Sequence, residues 1–294
     1  MSADAFDYEE MIGRQAGFVS ADEQRRLRGA SAFVCGVGGM GGVAAQVLAR
    51  AGVGRLVIAD IDTFETSNLN RQVYADSGSL GRQKAAVTAE RLRAINPSLV
   101  IDVHGRDWTS ALDRILSTCG VAINSMDDAA AALHLYRRAA VAGATVIDAY
   151  VSPLPNVTVV HAADPRPEDR LDFGTAGTPW DALTDTQRER CREAELTYVL
   201  VHSSSLRHID AVVAADVIAG RRARPSYAPV VWMAGILMGF EALQCLLGRS
   251  SATDFRGLFH NPWTGRVERP RGPVASRLRE YMVRRQLRRL MVKS

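Results

Sequence analysis

The chain has 294 residues, 47% of them apolar and 23% charged, a composition that packs a core and excludes a disordered, collagenous or repetitive chain. Its formal charge of +4 is uneven: from position 266 to the end, ten Lys or Arg face two acids, a surplus of +8 that leaves the rest net negative. The basic balance therefore implies no polyanion partner for the whole molecule, and nucleic acid is not expected to be one. Cys35, Cys119, Cys191 and Cys245 form no C-x-x-C pair, which leaves neither a zinc ribbon nor a disulfide framework.

In chain order, the first ten residues are acidic and lack an apolar run, so no targeting signal is read there and a cytoplasmic protein is expected. Apolar patterning then predicts strands over 31–36, 55–60, 99–103, 122–124 and 145–148, and helices over 43–51, 84–95 and 129–142. This alternation predicts an α/β fold, a doubly wound, mostly parallel sheet with helices on both faces. Residues 164–195 turn polar, with Pro165, Pro167, Pro179, Gly174 and Gly177, and end in a charged helical run over 184–196. They are read as an insertion over the edge or mouth of the sheet rather than a second domain. Residues 228–248 approach the length of a membrane span but contain Glu241, Gly235 and Gly239. A buried core or subunit-interface helix is expected there, and no membrane span. Residues 276–293 place Leu278, Met282, Leu287 and Leu290 among arginines, predicting a basic amphipathic helix. Its expected use is docking on its own domain; an acidic carrier protein, RNA or an anionic membrane stay open as alternatives.

Two motifs carry the chemistry. Gly36, Gly38 and Gly41 satisfy G-x-G-x-x-G between a predicted strand and helix, with Gly39 between them. Glycines permit a tight turn, and a helix N-terminus offers unpaired N–H groups to phosphate. Asp60 follows about 20 residues later, where a carboxylate can bind ribose hydroxyls. Taken alone this fingerprint suits an NAD- or FAD-dependent oxidoreductase. The next stretch changes the reading: Asp60 and Asp62, then Ser67-Asn68-Leu69-Asn70-Arg71-Gln72, then Gly81-Arg82-Gln83-Lys84.

These residues resemble the ubiquitin-activating (E1-like) family, specifically its bacterial thiamin and molybdopterin branch, whose pattern runs G-x-G-G-x-G, D-x-D, S-N-L-x-R-Q and G-x-x-K. Gly13-Arg14-Gln15 is similar to the family's N-terminal R-Q, and the stretch from Ile123 to Asp128 to its strand ending in an aspartate. The resemblance implies an ATP-dependent, homodimeric adenylyltransferase. Its partner would be a small ubiquitin-like or sulfur-carrier protein, a peptide or a small-molecule carboxylate, activated as acyl-AMP for a sulfur or amine nucleophile. It implies an N-terminal helical segment over 1–28 at the dimer interface and an ATP-binding core over 29–163. An inserted crossover over 164–200 would lie near the substrate, followed by the remaining, partly antiparallel fold over 201–265 and a basic tail over 266–294. By the same resemblance Arg71 and Lys84 contact phosphates, Asn68 and Gln72 help position them, Asp60 binds ribose with Asp62 nearby, Asp127 holds Mg²⁺, and Arg14 reaches across the dimer.

Plainer roles stay open beside these. Asp127 suits a helix N-cap before 129–142. The family's zinc-binding C-x-x-C pairs are missing here, so no zinc is expected. Cys191, in Arg190-Cys191-Arg192, is the one cysteine in the stretch where thiol-transferring members carry theirs; flanking arginines would favour a thiolate and neighbouring acids oppose it. Val201-His202-Ser203-Ser204-Ser205 would shape the acceptor pocket, and without a G-x-S-x-G elbow it reads as a polar loop or cap rather than a hydrolase site.

Overall fold

The computed structural model describes residues 6–218 and 221–292. Short helix α1 (Tyr8–Ile12), a 3-10 turn at Gly13–Gln15 and α2 (Ala21–Gly29) precede the sheet. α2 starts where a sequence reader would place it: Ser20 caps Glu23 N–H, and the Glu23 carboxylate returns to the Ser20 N–H at 2.9 Å.

β1 (Ser31–Cys35), α3 (Gly39–Arg50), β2 (Arg55–Ala59), α4 (Lys84–Ile95), β3 (Val100–His104), α5 (Trp108–Leu116), β4 (Val121–Asn124), α6 (Ala129–Ala142) and β5 (Thr145–Asp148) build the wound half. α5 escapes a strand-and-helix reading of the pattern because it is short, although Trp108, Leu112, Ile115 and Leu116 bury one face of it. β6 (Asn156–Val160) then runs antiparallel to β5. After it come α7 (Pro167–Arg170), α8 (Asp185–His202), α9 (Ala211–Ile218), α10 (Ala228–Leu247), β7 (Leu258–Asn261), β8 (Arg266–Glu268) and α11 (Pro273–Val292). The eight strands order as β3-β2-β1-β4-β5-β6-β7-β8, the first five parallel and the last three antiparallel. The mostly parallel sheet and its antiparallel C-terminal portion match the expected fold. Purely apolar central strands (Phe33, Val34, Leu56, Ile58, Ile123, Ile147) are buried on both faces, as parallel strands under two helical layers must be.

α10 is the one described helix long and apolar enough to cross a membrane, with a mean hydropathy of 1.8. In the fold it lies along α3, and small residues set the spacing: a Cβ on Gly235 would sit 2.6 Å from the Met40 carbonyl, and one on Gly239 2.8 Å from Val47 Cβ. Glu241 is buried and accepts a hydrogen bond from Thr253 Oγ1 at 2.6 Å. Its other side leaves Trp232, Ile236 and Phe240 exposed.

The tail forms its helix, and two of the four apolar residues expected to dock do not. Leu278 and Met282 are exposed, while Val283 packs against Leu200 and Val201 of α8. The side chains of Leu287 and Leu290 lie outside the described residues.

Candidate active site

Residues 36–38 reverse the chain between β1 and α3 at the carboxyl end of the parallel strands, where open α/β sheets hold ligands. Gly36 has φ +86°, and a Cβ there would stand 2.5 Å from the Ser125 carbonyl oxygen; one on Gly41 would stand 1.9 Å from the Gly36 carbonyl oxygen. Only glycine fits either place. The turn is held from both flanks. Val37 N–H donates to Asp60 Oδ2 at 2.8 Å, and Gly41 N–H donates to Ser125 Oγ at 2.9 Å.

Over this turn opens a cavity of about 830 Å³, and Gly36, Gly38, Gly39, Asp60, Asp62, Arg71, Gln72, Lys84 and Asp127 all line it. The long connection from β2 to α4 brings the last of these together by closing on itself. Phe64 N–H donates to the Arg82 carbonyl at 2.9 Å, Gly81 N–H to the Phe64 carbonyl at 2.8 Å and Lys84 N–H to the Asp62 carbonyl at 2.9 Å. The Lys84 side chain is only 9% exposed, and its Nζ sits 3.1 Å from Asp62 Oδ2. Arg71 is braced by Nη1 donating to the Ser67 carbonyl at 2.8 Å and Asn70 Oδ1 at 3.0 Å; Trp232 Nε1 of α10 donates to the Arg71 carbonyl at 2.7 Å. Gln72 is buried, and its Oε1 has no partner among the described residues. A buried orphan acceptor on a cavity wall is an unpaid desolvation cost that a bound donor would relieve.

The electrostatics are mixed in a way that suits a polyanion with a sugar attached. Arg71 and Lys84 supply positive charge beside the N-terminus of α3. Burial pushes the Asp60 carboxyl above its ordinary value, while hydrogen bonds from the Asp62 and Val37 N–H groups and the nearby Lys84 ammonium pull the other way. Asp127 stands exposed in the turn between β4 and α6. The N-cap of α6 is its neighbour: Asp128 accepts from Ala131 N–H at 2.7 Å and pairs with Arg188 at 2.8 Å. Asp127 thus keeps a carboxylate on the cavity wall with no partner among the described residues. No group of three or more His, Cys, Asp or Glu able to hold a metal occurs among the described residues.

Residues 12–277 match the ThiF family. The chain belongs to that family. Over 97 residues it is 37% identical to a tRNA threonylcarbamoyladenosine dehydratase of Haemophilus influenzae, covering 33% of this chain and 37% of that protein. Over 103 residues it is 39% identical to a sulfur carrier protein adenylyltransferase of Thermus thermophilus, covering 35% of this chain and 37% of that protein. The matched stretch thus spans little more than a third of each relative. The crystal structure of Escherichia coli MccB with MccA-N7isoASN superposes with a TM-score of 0.59 at 17% identity, covering 86% of this chain and 68% of that one; that likeness shows the fold alone.

Within this ThiF-family fold, three expected site residues do not line the cavity: Gly41, which packs against the Gly36 carbonyl beneath the turn, Asn68 and Arg14. Asn68 is buried, but its Oδ1 accepts from Glu65 N–H at 3.1 Å and so closes the 3-10 turn at Thr66–Asn68 beneath Arg71. Arg14 is exposed in the turn after α1 and does not line the cavity of its own chain.

The insertion over 164–200 contributes no lining residue. It is fastened to the outside of the sheet, where Arg137 of α6 grips the buried Glu168 carboxylate through Nε at 3.0 Å and Nη2 at 2.7 Å. Cys191 is buried on α8, and burial together with nearby Glu195 pushes its thiol up to about 11, the reverse of an activated thiolate. Ser203 caps α8, and Ser204 Oγ donates to Glu268 Oε1 at 2.5 Å, so that polar run is structural and also lies off the cavity.

Sequence reasoning missed the far half of the cavity. It is walled by the 150–154 loop, His208, Ile209 and Trp263, while the segment leading into α10 lies at the glycine end, where Asn70 Nδ2 donates to the Ser226 carbonyl at 3.3 Å. Asn156 shapes that loop from inside the core, donating to the Tyr150 and Leu154 carbonyls at 2.9 and 3.1 Å and accepting from Tyr150 N–H at 2.7 Å. Ser125 was within the quoted motif, but nothing in a sequence says that its hydroxyl holds the turn at Gly41.

Proposed function

We propose that this chain is an ATP- and Mg²⁺-dependent adenylyltransferase that activates a terminal carboxylate, on a small carrier protein or a peptide, as acyl-AMP. The observation that carries this reading is the convergence of Arg71 and the nearly buried Lys84 on a cavity floored by the glycine turn. A hydride-transferring site needs no such pair of cations along the phosphates. The relative named as a sulfur carrier protein adenylyltransferase supports the reading.

The residues divide the work as the chemistry requires. N–H groups at the start of α3 receive phosphate oxygens, and Asp60 faces the ribose hydroxyls. Arg71 and Lys84 neutralise charge as a carboxylate oxygen bonds to the α-phosphorus and the bond to the bridging oxygen of pyrophosphate breaks. Asp62 holds Lys84 in place. Asp127 fits Mg²⁺, a hard cation that commonly takes one or two carboxylates and completes its shell with substrate phosphates and water; there it would supply charge neutralisation between phosphate groups. With Cys191 buried, the acyl group passes to an external sulfur or amine nucleophile rather than to a thiol of this chain.

The chain works as a homodimer in this reading. Trp232, Ile236 and Phe240 repeat every fourth residue along α10 and expose an apolar stripe, the kind of surface a second copy covers. Arg14, remote from its own cavity, acts on the partner's phosphates.

The test is ATP–pyrophosphate exchange by the purified protein with candidate carrier proteins and peptides, alongside calorimetry with ATP plus Mg²⁺ and with NADH. Carboxylate-dependent exchange is expected; NADH binding without ATP binding would overturn the reading.

A further inference from the structure

The half of the cavity remote from the glycine turn has its own chemistry. His208 and Trp263 stack with ring centroids 4.6 Å apart and planes 16° from parallel. The imidazole is fixed from behind. Asn261 Oδ1 accepts from the Trp263 and Thr264 N–H groups, both at 3.1 Å, which orients its amide so that Nδ2 faces His208 Nε2, Glu268 Oε1 and Ser204 Oγ, each at 3.0 Å. Asn261 is buried, so this arrangement belongs to the fold rather than to a mobile surface. The front is different: Trp263 is 52% exposed on the cavity wall, which Val151, Pro153 and Ile209 share.

Large rings left open on a concave wall are the usual sign of a missing ligand group, because each offers a wide apolar face and a defined stacking geometry. The volume agrees. About 830 Å³ is near the top of the roughly 300–1,000 Å³ that encloses one small ligand, so a nucleotide at the glycine turn leaves the far end vacant for a second group. The carboxylates on the cavity wall, Asp60, Asp62, Asp127 and Asp128, follow β2 and β4, away from β7 and its Trp263.

We infer that this compartment binds an aromatic side chain on, or next to, the residue whose carboxylate is adenylated, and that Trp263 and His208 set this specificity. The inference rests on the adenylation reading and adds to it the class of acyl group: an uncharged aromatic residue, stacked on the indole, rather than a bare glycine tail. His208 acts by holding the indole plane.

The probes are N-acetyl-phenylalanine and N-acetyl-glycine, titrated calorimetrically into the full chain in the presence of Mg²⁺ and a non-hydrolysable ATP analogue. The phenylalanine probe is expected to bind at least about tenfold tighter. Trp263→Ala should erase that preference and Trp263→Phe should restore part of it, while the nucleotide titration on the same samples reports whether each variant is folded. Equal or undetectable binding of the two probes to nucleotide-loaded wild type overturns the inference and leaves the adenylation reading standing. A preference that survives both Trp263→Ala and His208→Ala also overturns it. Failure of wild type to bind the nucleotide analogue counts against adenylation itself.

Discussion

The two ends of the cavity are built by different rules. At the nucleotide end, the glycine turn, Asp60, Asp62, Arg71, Gln72 and Lys84 come from one run of chain, positions 36 to 84, joined by Asp127 after β4 and by Val231 of α10 beside Gly39. At the acceptor end, the wall is assembled from the 150–154 loop, positions 208–209 and Trp263, which meet only after the sheet has closed. The first arrangement is fixed by local chain geometry, and the second by loops carried on a rigid scaffold.

The sharpest break in that comparison is at Lys84. Its ammonium is nearly buried and paired only with Asp62, so Lys84→Ala is expected to lower ATP–pyrophosphate exchange by about 10²–10³-fold, the usual loss when one charge-stabilising donor is removed. Arg71→Ala should fall in the same range. Changes at the acceptor end, by contrast, should alter which carboxylate is used and leave nucleotide affinity in place. Near-normal exchange in both variants would remove the phosphate roles.

Gly41→Ala tests the cradle as backbone rather than as charge. Its Cβ would meet the Gly36 carbonyl oxygen at 1.9 Å, and with no flexible side chain to give way the turn itself must move. A stability loss of about 2–3 kcal/mol in urea unfolding is expected, together with weakened ATP binding. Unchanged stability would show that the turn is looser than its contacts imply.

How much of this was legible in the sequence follows the same division. Gly36, Asp60, Asp62, Arg71 and Lys84 could be placed on one wall before any coordinates because local spacing and a shared strand end determine where they go. Asn68 was visible as a site residue but not as the cap of the turn under Arg71, since the same amide serves either purpose. His208, Trp263 and Asn156 were invisible, because no periodicity or motif connects positions 52 to 107 residues apart. The tail shows the limit for packing: an amphipathic pattern names a face, but α8 chose Val283 and left Leu278 outside. The insertion contributes no lining residue but backs the wall, with Arg170 donating to Tyr150 Oη and Arg188 pairing with Asp128, contacts that its polar, proline-rich composition does not announce.

Two smaller tests bear on what reaches the nucleotide end. Mixing Arg14→Ala with Lys84→Ala protomers should restore about a quarter to a half of wild-type exchange if Arg14 serves the partner's site, because hybrid dimers then hold one intact site. Absence of rescue would return Arg14 to its own chain. Asp127→Ala should raise the Mg²⁺ concentration needed for half-maximal exchange several-fold, since one carboxylate ligand is lost; an unchanged Mg²⁺ profile would sink that assignment.

The gentlest test lies behind the acceptor end. Asp148 closes β5 just before the 150–154 loop, accepting from Asn124 Nδ2 at 2.8 Å and Tyr136 Oη at 2.7 Å. Burial pushes its carboxyl up to about 6, against those two hydrogen bonds and a third from Ala149 N–H at 2.6 Å. Because the folded state holds this proton more tightly than the unfolded chain, the contribution to stability is full below the unfolded value near 4 and is lost as pH rises through 6. Glu195, pushed up to about 7 by burial and by Asp148, adds to the loss in the same direction. Asp148→Asn keeps an acceptor for Tyr136 and removes the titration, so the variant should gain on wild type by about 2–3 kcal/mol between pH 4 and pH 7. Carboxylates pulled down by arginine, such as Glu23 at about 2, titrate alike in both proteins and cancel in the difference. Parallel stability profiles would mean that Asp148 is already ionised at low pH and that the acceptor loop rests on a charged support.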